Sequence, residues 1–413
     1  MIIKKDKKYW LYIAPHVYCN IKDSNALLYN TVNGENMIVT NPDFIDILKA
    51  LHEKKNLGAI CIDGVKLAQS PCYEFIVEFC EKKMGNINDV SEEPEKPVQM
   101  MPILNLQRDV NRFQDDMGRE VGEDVLQYLL ELNLYLNDSC ELNCIHCDTY
   151  SKQASCCIKK SSKQNNILQI SVLKNILLQI KYGVVGKLNL IGGNVLKYPY
   201  YNELSTLFSD FSSRVHIWNH YANFTNSINI FSDFKYDIIT TFPINNSVWD
   251  NCYKLLRNYN HCYHFYITGI NDYTLVDDLI EKFFINNYVI HPVYIKTNHD
   301  FFVKNVFTDP KDILQETFSM RNIFAHQKLN TNFFGSLTII SSGDVYANIN
   351  RPALGNIVNN SILELIKSEL IINTAWRKIR DVEPCSNCIY QYLCPSPSNY
   401  EIILDKSNLC CIR

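Results

Sequence analysis

The chain has 413 residues and a formal net charge of −4, with 46% hydrophobic and 20% charged residues. This balance is typical of a packed globular protein and excludes a largely disordered chain. Since there is no basic excess, charge gives no argument for nucleic-acid binding.

The first 90 residues predict a small unit of strands followed by helices. Alternating apolar residues predict strands near 9–13, 26–31 and 35–39. A helix is expected to begin at Asn41 and Pro42, and a second is expected over 72–81. Residues 91–130 predict a linker with one or two helices between 105 and 130, because 92–97 is polar and Pro-rich.

Residues 131–330 alternate between strand-like and helix-like segments. Strands are predicted near 132–136, 187–191, 215–218, 236–241, 264–268 and 288–295, and helices near 171–181, 200–208, 248–256 and 275–285. Ser171 is the expected N-cap of the first of these helices. Repeated strand–helix units predict a parallel sheet or a barrel, and an open doubly wound sheet is the alternative.

Residues 331–413 form a different pattern. A hairpin is predicted to turn at residues 342–344, and a helix follows over 361–371. The end of the chain is rich in cysteine and has little periodicity. The fold prediction is therefore an α/β protein with an N-terminal unit, a strand–helix core and a cysteine-rich extension.

The 16 cysteines are unevenly distributed. Five lie within residues 140–157 and five within 385–411, whereas the other six lie among apolar residues and are interpreted as core: Cys19, Cys61, Cys72, Cys80, Cys252 and Cys262. Residues 1–8 turn charged at once, and no apolar run long enough to cross a membrane follows. We therefore expect a cytoplasmic protein whose clustered thiolates serve metal or redox chemistry rather than disulfides.

The first cluster has the spacing CxxxCxxC and follows a predicted strand. Cys140, Cys144 and Cys147 can ligate three corners of a cubane cluster, which leaves one iron open. Zinc would need a fourth ligand, such as His146 or a more distant group, and CxxxCxxC is not a usual zinc spacing. An iron–sulfur cluster is therefore the favoured interpretation.

The second cluster is a CxxC-x5-C array with a later cysteine. Its ligands would be Cys385, Cys388 and Cys394, with Cys410 or alternatively Cys411 as the fourth. Four thiolates at these spacings indicate a metal site, and the spacing alone fits both zinc and iron–sulfur.

The CxxxCxxC loop, with His146 before its last cysteine, resembles the radical SAM family. About 45 residues on, Gly192, Gly193 and Asn194 follow a predicted strand and resemble that family's second signature, Gly-Gly-Glu-Pro. The resemblance implies a partial (β/α)6 barrel over 131–330 and a [4Fe-4S] cluster that binds S-adenosyl-L-methionine (SAM). It also implies that Gly192, Gly193, Asn194 and His146 contact this cofactor, with Asn194 replacing the usual Glu.

The second array resembles the SPASM extension of radical SAM peptide maturases, which places such an auxiliary domain at 331–413. A full extension carries two auxiliary clusters. Here Asn348 and Ser398 stand where that family has cysteine ligands of the first of them. The resemblance therefore implies one auxiliary [4Fe-4S] cluster on Cys385, Cys388, Cys394 and Cys410 or Cys411.

Residues 1–90 resemble the winged-helix element that captures leader peptides in such maturases, by adding the leader to a sheet edge; a simple cap on the core is the alternative. The segments 9–13, 27–31, 102–107 and 144–147 resemble a narrower group, the pseudo-radical-SAM/SPASM proteins that accompany double-glycine-leader peptides. The partners implied are a precursor peptide and a second radical SAM maturase, and neither nucleic acid nor membrane is expected.

Two functions follow from these resemblances. The first is a radical SAM enzyme that cleaves SAM reductively and abstracts hydrogen from a ribosomally made peptide, and the three intact cysteines favour it. The alternative is a catalytically inactive partner that binds a cluster and presents the precursor to another maturase, and Asn194 favours that. The sequence assigns no role to Cys156 and Cys157 and identifies no general base.

Overall fold

The computed structural model describes residues 3–99, 125–158, 166–225 and 229–411. The segment 102–107 and most of the helices predicted between 105 and 130 lie outside these residues. Among the helices of the described residues, none is both long and apolar enough to span a bilayer.

The N-terminal unit contains two small antiparallel sheets and three helices. Its elements are β1 (Lys8–Ile13), β2 (Val17–Lys22), β3 (Asn25–Asn30), β4 (Asn36–Val39), α1 (Pro42–His52), β5 (Ala59–Asp63), α2 (Gly64–Leu67), α3 (Ser70–Glu81) and β6 (Gly85–Asp89). One sheet has the order β5-β1-β6 and the other β2-β3-β4. The predicted start of α1 is confirmed, because the Asn41 side chain accepts a hydrogen bond from the Asp43 amide at 2.9 Å. The winged-helix assignment stays a prediction.

The core contains the predicted alternation of strands and helices. Its elements are β7 (Glu131–Tyr135), α4 (Cys147–Gln153), α5 (Ile170–Ile180), β8 (Lys187–Ile191), α6 (Leu204–Leu207), β9 (Val215–His220), β10 (Lys235–Thr241), α7 (Asn246–Leu256), β11 (His261–Ile267), α8 (Ile270–Phe283) and β12 (Tyr288–Pro292). One detail was wrong: Gln169 occupies the N-cap of α5, so Ser171 lies inside the helix.

Strands β7 to β12 are parallel and adjacent in sequence order. The helices α5, α7 and α8 pack on one face, where Ile176 of α5 and Trp249 of α7 share a core with Leu190 and Phe265 of the strands. A doubly wound sheet reverses its strand order and carries helices on both faces, so that alternative is excluded. The strand order agrees with the predicted (β/α)6 series, whereas its curvature into a barrel stays a prediction.

The C-terminal part extends the same sheet. Its elements are α9 (His299–Asn305), α10 (Pro310–Gln315), α11 (Met320–His326), β13 (Ser336–Ile339), β14 (Asp344–Tyr346), β15 (Gly355–Asn356), α12 (Ile362–Ile372) and α13 (Asn399–Leu404). β13 pairs in parallel with β7 and in antiparallel fashion with β14, as expected for the predicted hairpin. Gly343 in the turn has a φ of +90°, a conformation that favours glycine.

The N-terminal unit and the cysteine-rich extension share a core. Tyr18 and Tyr29, from β2 and β3, are buried with Tyr390 and Leu393 of the extension. The Lys22 ammonium donates a hydrogen bond to the Ser386 carbonyl at 2.7 Å. The two ends of the chain therefore support each other.

Candidate metal sites

The first cysteine cluster lies at the carboxyl end of the parallel sheet. Cys140 and Cys144 lie on the loop after β7, and Cys147 is the first residue of α4. All three are partly buried, and they pack against the buried Cys156 and Cys157. The structure thus gathers five thiols at this position, which we call the loop site, where the sequence predicted three ligands.

Apolar side chains from the inner face of the sheet lie beneath the loop site. Tyr135, Ile191, Trp218, Ile239 and Tyr266 are each at most 6% exposed and form one cluster with the cysteines. These residues come from β7, β8, β9, β10 and β11, so the floor is built from five strands. Such a floor keeps water away from a bound metal centre.

Burial and mutual contact set the acidities of the loop thiols. A hydrogen bond with Cys157 lowers the pKa of Cys140 to about 6, against the opposing effect of burial. The pKa of Cys144 is raised to about 12, mainly by burial and then by the neighbouring thiols Cys156, Cys147 and Cys140. A buried thiol is a poor ligand until a metal displaces its proton, so metal binding here would release protons.

The two glycines of the predicted second signature pack against the start of the cysteine loop. The Gly193 amide donates to the Asn137 carbonyl at 3.0 Å, and the Asn194 amide donates to the Ser139 carbonyl at 2.7 Å. A Cβ at Gly193 would lie 2.0 Å from the Ser139 oxygen, so no other residue fits this approach. The glycines therefore fasten β8 to the loop, and their contact with SAM stays a prediction.

Asn194 is 8% exposed and uses its side-chain oxygen within the protein. That oxygen accepts hydrogen bonds from the Leu196 amide and from the Asn219 side chain, each at 3.1 Å. An amide oxygen has two lone pairs, so both are occupied. The oxygen is therefore not free to accept a hydrogen bond from the amino group of SAM.

A cavity of about 650 Å³ opens beside the loop site. Glu141, Leu142, Asn194 and Asn223 are among the residues that line it, and no cysteine is among its described lining residues. His146, the remaining predicted SAM contact, occupies the N-cap of α4 and packs edge-to-face on Tyr150, with ring centroids 6.1 Å apart. The role of His146 toward SAM stays a prediction.

The second cysteine cluster surrounds a single cavity of about 320 Å³, which we call the auxiliary cavity. Its lining contains all four cysteines of the predicted set: Cys385, Cys388, Cys394 and Cys410. Cys411 is exposed and is not part of the lining. The geometry thus favours Cys410 over Cys411.

Short turns and one bridge between distant segments bring these cysteines together. A 3-10 turn, Cys385–Asn387, closes with a hydrogen bond from the Cys388 amide to the Cys385 carbonyl at 3.1 Å. Cys410 forms a parallel bridge with Thr308, which holds the end of the chain over the cavity. The Asn20 side chain of β2 donates to the Ile389 carbonyl at 2.8 Å, so the N-terminal unit also supports this site.

A buried ion pair lies beside the auxiliary cavity. Arg380 contacts Glu401 at 2.7 Å, and its Nη1 lies 3.9 Å from the Cys385 sulfur. Burial raises the pKa of Cys394 to about 12, and the nearby Arg380 charge opposes this effect. The guanidinium therefore favours the thiolate forms that a metal centre requires.

One compact group of potential metal-ligand atoms lies outside the two cysteine sites. Among the described residues, three or more Cys, His, Asp or Glu ligand atoms lie within 4.8 Å of one another in one group, Asp237, Cys262 and His264. Zinc holds its four sulfurs at about 2.3 Å, which places them closer together than this limit. Among the described residues, the thiols of the two cysteine sites do not form such a compact group.

The two positions where the resemblance implies lost ligands have hydrogen-bonding roles. The Asn348 amide donates to the Asn399 side chain at 2.8 Å. The Ser398 hydroxyl caps α13 by accepting from the Tyr400 amide at 3.1 Å. These contacts stabilise the turn before α13 without a metal centre. They are compatible with the prediction of one auxiliary cluster.

Sequence reasoning missed a buried hydrogen-bonded chain across the inner face of the sheet. Asp237 accepts from His216 at 2.6 Å and from His264 at 3.0 Å, and His264 lies 2.9 Å from His291. Since a carboxylate only accepts, His264 donates to Asp237 through Nε2, and its Nδ1 shares a hydrogen bond with Nε2 of His291. In the compact group of Asp237, Cys262 and His264, both carboxylate oxygens of Asp237 therefore already accept hydrogen bonds from histidines. The sequence signal for these hydrogen bonds was the presence of His and Asp residues in otherwise apolar strands.

No protein-family model matches the sequence, and no curated protein is similar to it. Among solved structures, the chain is similar to Streptococcus suis SuiB bound to precursor peptide SuiA, with 11% identity over 97% of this chain and 98% of that chain and a TM-score of 0.48. SuiB alone gives 13% identity over 97% and 100%, with a TM-score of 0.43. SuiB bound to S-adenosylmethionine gives 11% identity over 97% and 98%, with a TM-score of 0.40. Because these three TM-scores are below 0.5, this likeness assigns neither a family nor an activity to the chain.

Proposed function

We propose that this chain is an iron–sulfur protein of radical SAM/SPASM type that holds two [4Fe-4S] clusters. The observation that carries the proposal is the convergence of Cys385, Cys388, Cys394 and Cys410 on one cavity. The gathering of Cys140, Cys144 and Cys147 at the loop site supports the second cluster. All 16 cysteines are free thiols, which suits the proposed cytoplasmic location.

The role that the geometry supports best is that of a partner which binds a precursor peptide and presents it to another maturase. The occupied oxygen of Asn194 argues against tight SAM binding. The cavity beside the loop site also has no cysteine among its described lining residues. The peptide class, a ribosomally made precursor with a double-glycine leader, rests on the sequence resemblance of residues 1–90 and of the segments 9–13, 27–31, 102–107 and 144–147.

SAM cleavage is the second candidate function, and one observation favours it. Cys140, Cys144 and Cys147 lie at the carboxyl end of a parallel sheet, which is where α/β folds bind their ligands. With three thiolate ligands, the cluster would supply an open iron and an electron to SAM. The apolar floor of Trp218 and Tyr266 would exclude water from that reaction.

One preparation tests both roles. The full chain is purified and reconstituted anaerobically, and iron is counted before SAM and dithionite are added. The proposal expects about eight irons per chain. It also expects no 5′-deoxyadenosine and saturable binding of a fluorescent peptide with a double-glycine leader. Deoxyadenosine that disappears in Cys144→Ala would establish the enzyme instead, and bound zinc without iron would overturn the cluster assignment.

A scrambled leader of the same composition is the matched control for the binding measurement. Equal binding of the two peptides would contradict a leader-specific partner role. That outcome would leave the iron count, and hence the cluster assignment, intact.

A further inference from the structure

The segment that follows α4 returns over the loop site and is held there from three sides. The Gln153 side chain exchanges two hydrogen bonds with the Tyr294 backbone, at 2.7 and 2.8 Å. The Tyr266 hydroxyl donates to the Ser155 carbonyl at 2.5 Å, and the Tyr135 hydroxyl donates to the Cys156 carbonyl at 3.1 Å. Consecutive carbonyls are thus fixed by buried tyrosines from two different strands.

This anchoring places Cys157 among the predicted cluster ligands. Cys157 is 7% exposed, and its thiol is in hydrogen-bonding contact with the thiols of Cys140, Cys147 and Cys156. Its sulfur lies 4.0 Å from that of Cys156. Cys157 therefore touches two of the three predicted ligands, and it is already desolvated and positioned.

We propose that Cys157 is the fourth thiolate ligand of the cluster held by Cys140, Cys144 and Cys147. The step is a ligand exchange without oxidation or reduction. The Cys157 thiol gives its proton to solvent, and an iron–sulfur bond forms where a water or an added thiol would otherwise bind. The cluster then has four thiolate ligands and no open iron.

The same anchoring distinguishes Cys157 from its neighbour. Cys156 is 5% exposed, and its sulfur lies 4.0 Å from that of Cys157. Its backbone carbonyl accepts a hydrogen bond from the Tyr135 hydroxyl, which holds this part of the segment in place. Cys156→Ser is therefore a matched control of equal size and burial.

Four thiolates would explain why Asn194 stands where the radical SAM signature has Glu. A cluster without an open iron does not need an acceptor for the amino group of SAM, and the oxygen of Asn194 is bound within the protein instead. The inference rests on the proposed cluster at the loop site and specifies its ligands.

The test uses full-length protein, reconstituted anaerobically, in three forms: wild type, Cys157→Ser and Cys156→Ser. Each is mildly oxidised with ferricyanide and examined by electron paramagnetic resonance, because a cluster with an open iron loses that iron and gives a three-iron signal. We expect wild type and Cys156→Ser to keep all irons. We expect Cys157→Ser to lose about one iron per chain from its four-iron cluster.

A further variant, Cys157→Ala, is measured with and without 2-mercaptoethanol to distinguish loss of a ligand from a folding defect. The small thiol can occupy the fourth position, so suppression of the three-iron signal by the thiol supports ligation by Cys157. A three-iron signal of equal size in wild type and Cys157→Ser would overturn the inference while leaving the cluster in place. If wild type takes up no iron at the loop site, the proposed function fails as well.

Discussion

The Asn219 side chain donates a hydrogen bond of 3.1 Å to the side-chain oxygen of Asn194, and this bond ties the end of β8 to the end of β9. Asn219 is 2% exposed, and its own oxygen accepts from the Asn223 amide at 2.6 Å. Asn194 is therefore part of a buried amide network beside the loop site. This network gives it a structural role that does not need a cofactor.

Replacing Asn194 by Ala should destabilise the protein. The change leaves the Asn219 amide and the Leu196 amide without an acceptor, and an unpaired buried polar group costs about 1–3 kcal/mol. Urea unfolding measures the free-energy difference. Asn202→Ala, at an exposed position on the same cavity, is the control and should change stability by less than about 0.5 kcal/mol. Equal stabilities for the two variants would contradict the structural role of Asn194.

The auxiliary cavity makes opposite predictions for two adjacent cysteines. Cys410→Ser should remove a ligand from the cavity, so the reconstituted variant should lose about four irons per chain. Cys411→Ser should keep the wild-type iron content, because Cys411 is exposed and lies outside the lining. Iron and acid-labile sulfide per chain provide the measurement. If the Cys411 variant alone lost iron, Cys411 rather than Cys410 would be the fourth ligand.

Local patterns predicted most of the core, because strand and helix periodicities and the cysteine spacings are properties of short segments. The bridge from Thr308 that selects Cys410 over Cys411 joins positions about a hundred residues apart, so spacing could not choose between them. Cys157 was visible in the sequence, but its contact with Cys140 depends on two tyrosines from separate strands. The partner of Asn194 lies on another strand, and no local rule identifies it.

The buried histidine chain predicts a pH dependence of stability. Burial, and then the charge of His264, lower the pKa of His291 to about 3 in the folded protein, whereas an unperturbed His has a pKa of about 6.5. Between these values the unfolded chain binds a proton that the folded protein does not. The free energy of unfolding should therefore fall as pH falls below 6.5, by up to about 1.4 kcal/mol per pH unit from this residue.

His291→Gln tests that dependence. The Gln side chain can still form a hydrogen bond with His264 but does not titrate, so the stability of the variant should change less than that of wild type between pH 6.5 and 4. Urea unfolding at several pH values gives the two slopes. Burial also lowers the pKa of His220, to about 4, but this contribution is common to both proteins and cancels in the comparison. Parallel slopes would show that His291 does not resist protonation in the folded protein.

Arg380 and Glu401 form an ion pair whose side chains are only 10% and 6% exposed. Arg380→Met would leave a buried carboxylate without its cation, which costs about 3–5 kcal/mol. The Glu401 carboxylate also accepts hydrogen bonds from the Ser398 amide and hydroxyl, at 2.8 and 2.6 Å. These bonds orient the carboxylate but do not neutralise it, so the loss should be large.

A second substitution separates the charge from the packing. Glu401→Gln in the Arg380→Met background removes the buried charge and can still accept from Ser398, so the double variant should be more stable than Arg380→Met alone. Urea unfolding of the reduced, metal-free proteins measures this without the contribution of the cluster. Lys378→Met, which removes an exposed cation nearby, should change stability by less than about 0.5 kcal/mol. A double variant no more stable than Arg380→Met would assign the loss to the packing of the arginine stem rather than to its charge.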